Sequence, residues 1–306
     1  MASKQVSPLL PRIVQMTLRG ATCIGFLILG NIGRAANPHA DNATTSWAAR
    51  DEAIQSIPFD KLGRDMRGRI ATVINNVSIY RRLPTQSIDC DPDLFVFLVR
   101  NPEVVVDIWR VMGITNMTLD RNGPDRYRAS DGQGTTGNVE FAYRSSDLHV
   151  IYSEGMYDGP MFPAKLRGQC VMVLKTSSAR DASGRAYVTN RLDAFLRIEN
   201  LGAEIVARTL QPLLGKTADH NFSETSSFVG TLAHTAETNP NGVTRLAQRL
   251  GHVEPQVRQQ LADLAVHAAD NRAAETALAQ AAGGKSTAAN AAAARTHQAG
   301  GDSRER

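Results

Sequence analysis

The feature that most constrains this chain is the stretch 135–200, where apolar and polar residues alternate through four successive segments separated by polar turns. Val139, Phe141 and Tyr143 alternate with Glu140, Ala142 and Arg144, the period of a strand with one face buried. Ser145-Ser146-Asp147 turns the chain, and Leu148, Val150 and Tyr152 resume the pattern, which sends His149 toward solvent. Tyr157-Asp158-Gly159-Pro160 breaks it again. A third strand over 166–176 puts Cys170, Met172 and Leu174 on one face and Val171 and Val173 on the other, the mark of a central strand with a helix over one side. After Asp181-Ala182-Ser183-Gly184, a fourth strand over 186–199 carries Val188, Leu192, Ala194, Leu196 and Ile198 on one face. Tyr187, Arg191, Asp193 and Arg197 fall on the other. Links this short favour antiparallel neighbours, because parallel pairing needs a longer crossover.

Helical signals flank this core. Residues 46–57 are weakly helical, and 59–80 carry Leu62, Met66, Ile70, Val73, Ile74 and Val77 at three- and four-residue spacing. Arg81-Arg82-Leu83-Pro84 ends that segment, and a basic pair suits a helix C-terminus. A short strand is expected over 86–90. Asp91-Pro92 and Asn101-Pro102 then read as paired cap-and-proline starts for helices over 93–99 and 103–112, with Gly113 as the stop. A strand over 115–120, the turn Asn122-Gly123-Pro124-Asp125 and a return strand through Tyr127 complete the sheet. Beyond it, 201–214 is helical with Pro212 a kink or break, helix resumes near Ser223, and Asn239-Pro240 caps a short helix to Leu250. Residues 254–282 are amphipathic and then mostly alanine. From Gly283 nothing large remains to bury, and a disordered tail is expected.

The first forty residues resemble an export signal. Lys4, Arg12 and Arg19 precede the apolar run ATCIGFLILGNIG at 21–33, too short for a comfortable membrane span, and Ala35, Ala36 and Ala40 offer small residues for cleavage. Residues 1–40 hold four basic residues and no acidic one. The rest therefore has 30 basic residues, the 34 of the whole chain less those four, against 30 acidic. With no net positive field, nucleic acid and anionic membrane surfaces lose their main attraction. The expected location is secreted or periplasmic, with no stable membrane anchor after cleavage. In an oxidising compartment Cys90 and Cys170 either form a disulfide, contributing about 4 kcal/mol, or remain two buried thiols.

Chemical motifs are few. Gly132-Gln133-Gly134-Thr135-Thr136-Gly137 spells a dinucleotide fingerprint, but a strand follows it where a helix N-terminus is needed, so the glycines are read as hairpin residues. Gly215-Lys216-Thr217 lacks the first glycine of a phosphate loop, since Leu210 stands there. Asp89, Asp91 and Asp93 alternate as in a calcium loop, yet Leu94 and Arg100 occupy its glycine and glutamate positions. His149, His220, His234, His252 and His267 show no zinc spacing, and no metal or cofactor is expected. Asp219-His220-Asn221 beside Ser223 and Glu224 is the best polar cluster, read mainly as a helix junction capped by Ser223.

The aromatic set on the sheet points further. An antiparallel sheet wrapped on a helix tends to leave a concavity, and mostly apolar walls with a few polar groups suit a small molecule. Trp109, Phe141, Tyr143, Tyr152, Tyr187, Arg191 and Phe195 are the candidate cavity residues.

The element order (short strand, two small helices, antiparallel run, long helix) resembles the helix-grip fold of the START-like superfamily, which includes polyketide cyclases and lipid-transfer domains. That resemblance covers about half the chain and implies an α+β fold, a curved antiparallel sheet packed on a long C-terminal helix, enclosing a hydrophobic tunnel. The expected division is a signal peptide at 1–40, a helical segment at 41–83, the START-like domain at 84–250, a helical extension at 251–282 and the tail at 283–306. The function expected is binding of a small apolar molecule or lipid without catalysis. The alternatives are a cyclase- or hydrolase-type enzyme using Asp193 or the Asp219–His220 pair, and an envelope protein-interaction module.

Overall fold

In a computed structural model of the protein, residues 42–160, 165–182, 184–199 and 211–299 are described, with side chains from 214 to 277 in the last segment. The segment expected to serve as an export signal and most of the helix expected over 201–214 lie outside these residues.

A curved, antiparallel sheet of eight strands organises the molecule. Its strands are β1 (Ile79–Arg82), β2 (Gln86–Asp89), β3 (Thr118–Gly123), β4 (Arg126–Ser130), β5 (Thr135–Arg144), β6 (Leu148–Tyr157), β7 (Leu166–Arg180) and β8 (Ala186–Ile198). They run in the order β1-β8-β7-β6-β5-β4-β3, with β2 sharing the β8 edge. Around them pack α1 (Trp47–Gln55), a 3₁₀ turn (Phe59–Lys61), α2 (Arg64–Asn75), α3 (Pro92–Arg100), α4 (Pro102–Val111), α5 (Gln211–Thr238), α6 (Pro240–Gln248) and α7 (Pro255–Ala299). The fold is α+β, as the alternation and cap signals require.

Both faces of the sheet are covered. Ala53 of α1 and Ile70 and Val73 of α2 pack on the outer face against Val150, Tyr152, Val171, Val173 and Phe195. The inner face carries α3, α4 and α5, with α6 and α7 behind them in one larger core. Cys170 and Met172 look inward while Val171 and Val173 look outward, so β7 is central and buried on both sides. The helices ahead of Leu83 are thus part of the same packed body, and β1 itself belongs to the sheet.

Local chemistry explains the helix corner. The Asp91 carboxylate accepts from the N–H groups of Asp93 and Leu94, and Pro92 occupies the first turn of α3. Asn101 departs from the expected repeat of this device. Its amide donates to the Phe97 carbonyl at 2.9 Å and accepts from Arg121 at 2.9 Å, tying the corner to β3 instead of capping α4.

Four further expectations change. The helix over 59–80 stops at Asn75, and Ile79–Arg82 forms β1, so Arg81 and Arg82 do not sit at a helix terminus. The pleat sends them to opposite faces, Arg81 to Asp219 and Arg82 to Asp193. The break expected at Pro212 falls at the edge of the described residues, where α5 begins with Gln211. α5 then runs unbroken through the Asp219–Asn221 cluster, so Ser223 caps nothing and its hydroxyl accepts from Gln86 Nε2 at 3.2 Å. α7 continues helically to Ala299 across the segment expected to be disordered, in keeping with the high helix propensity of alanine. His149 is fully buried, not solvent-facing, because β6 is covered on both faces.

The glycine-rich loop does join β4 to β5, with Gly132 and Gly134 at φ of 70° and 112°. Further along, Gly137 faces Gly155, and a Cβ on either would meet the opposite strand's carbonyl oxygen at 2.7 Å. This pair lets β5 and β6 approach closely where the sheet lines its inner space.

Candidate ligand cavity

Among the described residues, two hollows lie between the inner face and α5. The larger hollow, about 240 Å³, is walled by Phe95 and Leu98 of α3, Val106 and Trp109 of α4, and Val139, Phe141, Ile151 and Met172 of the sheet. Phe222, Thr225, Ser226 and Val229 close it from α5. The smaller, about 90 Å³, lies toward the start of α5 among Ile79, Arg81, Ser153, Glu154, Cys170 and Leu214. Between them stands a plug of Leu83, Met172, Leu192, Ala194 and Ala218. From Leu214 onward α5 packs on the inner face, while most of the helix expected over 201–214 lies outside the described residues.

Polar groups in the larger cavity are sparse, and none is ionisable. Asn190 and Trp109 are each 2 % exposed, and neither Asn190 Oδ1 nor Trp109 Nε1 has a hydrogen-bond partner among the described residues. Thr225 spends its hydroxyl on the Asn221 carbonyl at 2.7 Å. Trp109 also stacks edge-on against Phe228, with centroids 5.3 Å apart. In the smaller cavity Arg81 is held by Asp219 through two hydrogen bonds, one of 2.7 Å from Nε. Burial pushes the Cys170 thiol up to about 12, with the Ser153 hydroxyl working against it, so the sulfur is no nucleophile near neutrality.

Of the seven candidate residues, the structure brings only Trp109 and Phe141 to this cavity. Tyr143, Tyr152, Tyr187, Arg191 and Phe195 belong to the outer face. Tyr152 and Phe195 are buried under α1 and α2, and Tyr143 packs beside them with Lys61 over its ring. Arg191 bonds Glu52 of α1, and Tyr187 sits opposite Asp89 on the same face of β8. Tyr143 is displaced by a β-bulge between Phe141 and Tyr143, which shifts the register by one residue and flips its side chain. The others follow from the pleat: on β8 the inward residues are Val188, Asn190, Leu192, Ala194 and Leu196, the even-numbered set. Asn190, an amide amid that apolar set, is the signal sequence reasoning passed over.

Cys90, in the loop between β2 and α3, and Cys170, in β7, are free thiols in the structure, and no disulfide joins them. The acid–base candidates also sit elsewhere. Asp193 is 0 % exposed on the outer face, accepting from Tyr80 at 2.7 Å and from Arg82 Nε at 2.8 Å. Arg82 reaches on to Glu52 at 2.9 Å. Burial raises Glu52, but hydrogen bonds from Arg191 and Arg82 outweigh it and hold the carboxyl at about 2. Asp219 is occupied by Arg81, and His220 stands 4.0 Å from Glu224; neither Asp219 nor His220 lines either cavity. Asp89 pairs with Arg185 and Asp91 caps α3, and among the described residues no group of three or more metal-ligating side chains converges.

No family model matches the chain, and no curated protein does. Solved structures of similar shape include a conserved protein from Geobacillus kaustophilus, 13% identical, covering 50% of this chain and 96% of its own, with a TM-score of 0.34. A putative uncharacterized protein from Rhizobium leguminosarum is 10% identical over 49% of this chain and 95% of its own, at a TM-score of 0.31. A hypothetical protein from Helicobacter pylori is 10% identical over 48% and 87%, also at 0.31.

Proposed function

We propose that this chain is an exported binding protein that holds a small apolar molecule between its curved sheet and α5, in the manner of the START-like proteins its element order resembles. The observation that carries this reading is the 240 Å³ apolar hollow. Protein cores pack to crystal density, whereas this hollow opens on one side and exposes almost wholly apolar walls, surface that a bound apolar molecule would take out of water. Wall chemistry agrees: apolar surface supplies the affinity, and two unpaired polar atoms supply orientation. Export rests on the basic and apolar pattern of residues 1–40, and the bound molecule is taken up outside the cytoplasm.

Native mass spectrometry of protein purified from its own host tests the reading. A discrete added mass that disappears on denaturation is expected. Repeated recovery of bare protein, together with failure to bind apolar fluorescent probes, would refute it.

A further inference from the structure

The cavity wall also specifies what kind of apolar molecule fits, and this step rests on the binding reading above. We infer that the ligand is neutral, compact in the sense of one or two rings or about ten carbons, and hydroxyl-bearing, and that Asn190 selects for the hydroxyl.

Three observations converge. The first is size. An apolar cavity of about 150 Å³ is known to accept benzene, so 240 Å³ admits a two-ring molecule, while the rest of a long acyl chain would be left in water outside the apolar walls. The second is charge. No ionisable side chain lines the space, and a carboxylate moved there from water would meet no compensating cation. The third is hydrogen bonding. Asn190 Oδ1 needs a donor and Trp109 Nε1 needs an acceptor, and both are buried without a partner. A hydroxyl offers either role. Asn190 stands at an inward position of β8 where its neighbours on that face, Val188 and Leu192, are aliphatic, so packing alone gives no reason for an amide there.

Equilibrium dialysis of the full chain at pH 7 against naphthalene, 2-naphthol and 2-naphthoate separates these requirements, because the three share one ring system. The expected order is 2-naphthol tightest, naphthalene about tenfold weaker, and 2-naphthoate at least about a hundredfold weaker. Asn190→Leu, close in volume, should erase the preference of 2-naphthol over naphthalene while leaving naphthalene bound as well or better. Circular dichroism confirms that the variant is folded, and Asn190→Gln, which keeps an amide, should retain part of the preference. Equal binding of naphthalene and 2-naphthol, an unchanged preference in Asn190→Leu, or tight binding of 2-naphthoate would each overturn this inference while leaving the binding reading intact. Binding of none of the three would also overturn it, and the host-purified protein's native mass then decides the broader reading separately.

Discussion

On its outer face the sheet presents Val150, Tyr152, Val171, Val173 and Phe195 to α1 and α2, and none of these five residues lines either hollow. On its inner face the same strands present Val139, Phe141, Ile151, Met172 and Asn190 to α3, α4 and α5, and about 240 Å³ stays open. The outer face buries its one fully enclosed carboxylate, Asp193, with Arg82 and the Tyr80 hydroxyl as partners. The inner face leaves Asn190 and Trp109 unpaired. One sheet, with one twist and one set of strand lengths, is therefore closed on one side and unfinished on the other. The difference lies in how α5 and the α3–α4 corner sit against the strands, and it marks the inner side as the one shaped for something besides the chain itself.

The largest effect is expected from breaking the closed side. Arg82→Ala leaves Asp193 buried with only the Tyr80 hydroxyl, and urea denaturation should show a loss of about 3–5 kcal/mol, with ligand affinity in the remaining folded protein little changed.

Next comes acid. His149, buried beyond the larger cavity with its ring 6.3 Å from Phe141, has its pKa lowered to about 4 by burial and by the charges of Arg100 and Arg144, with Asp147 opposing them. Between pH 6.5 and pH 4 the unfolded chain takes up a proton there that the folded chain refuses. Stability should therefore fall by roughly 3 kcal/mol as pH drops through that window and level off below it. His149→Phe should remove this fall, which denaturation at a series of pH values would read.

A matched pair of substitutions then compares the two faces directly. Val171→Phe overfills the closed side and should cost about 1–3 kcal/mol. Val229→Phe grows into the open side, and should change stability by no more than about 1 kcal/mol while abolishing ligand uptake. Equal penalties would erase the contrast between the faces.

The smallest effect concerns Glu52. Its folded pKa is depressed, so its contribution is present above the usual carboxylate range near 4.5 and is lost as pH falls toward about 2. The side chain is half exposed and the surrounding water screens its pairs, so Glu52→Gln should cost under about 1 kcal/mol at neutral pH.

The sheet was largely readable in the sequence because strand alternation is a direct consequence of the pleat: Val171 and Val173 against Cys170, Met172 and Leu174 announced a strand buried on both sides. The cavity was less readable, for three physical reasons. A bulge after Phe141 turned Tyr143 outward, and a one-residue register shift leaves no mark in composition. Aromatic residues were assigned to the cavity by chemical type, although the pleat of β8 already separated Phe195, Arg191 and Tyr187 from Ala194, Leu192 and Asn190. The four-residue β1 follows a strongly periodic helix and is fixed by its pairing with β8, a contact distant in sequence. His149 was missed for a related reason, since alternation names a polar position but not whether a helix covers it.

A crystal structure of protein recovered from its own host would test the central claim most directly. The account predicts continuous non-protein density between Trp109 and Asn190, enclosed by Phe141 and Val229 and sized for one or two rings. A collapsed interior, with α5 side chains such as Phe222 filling that space and no foreign density, would contradict it.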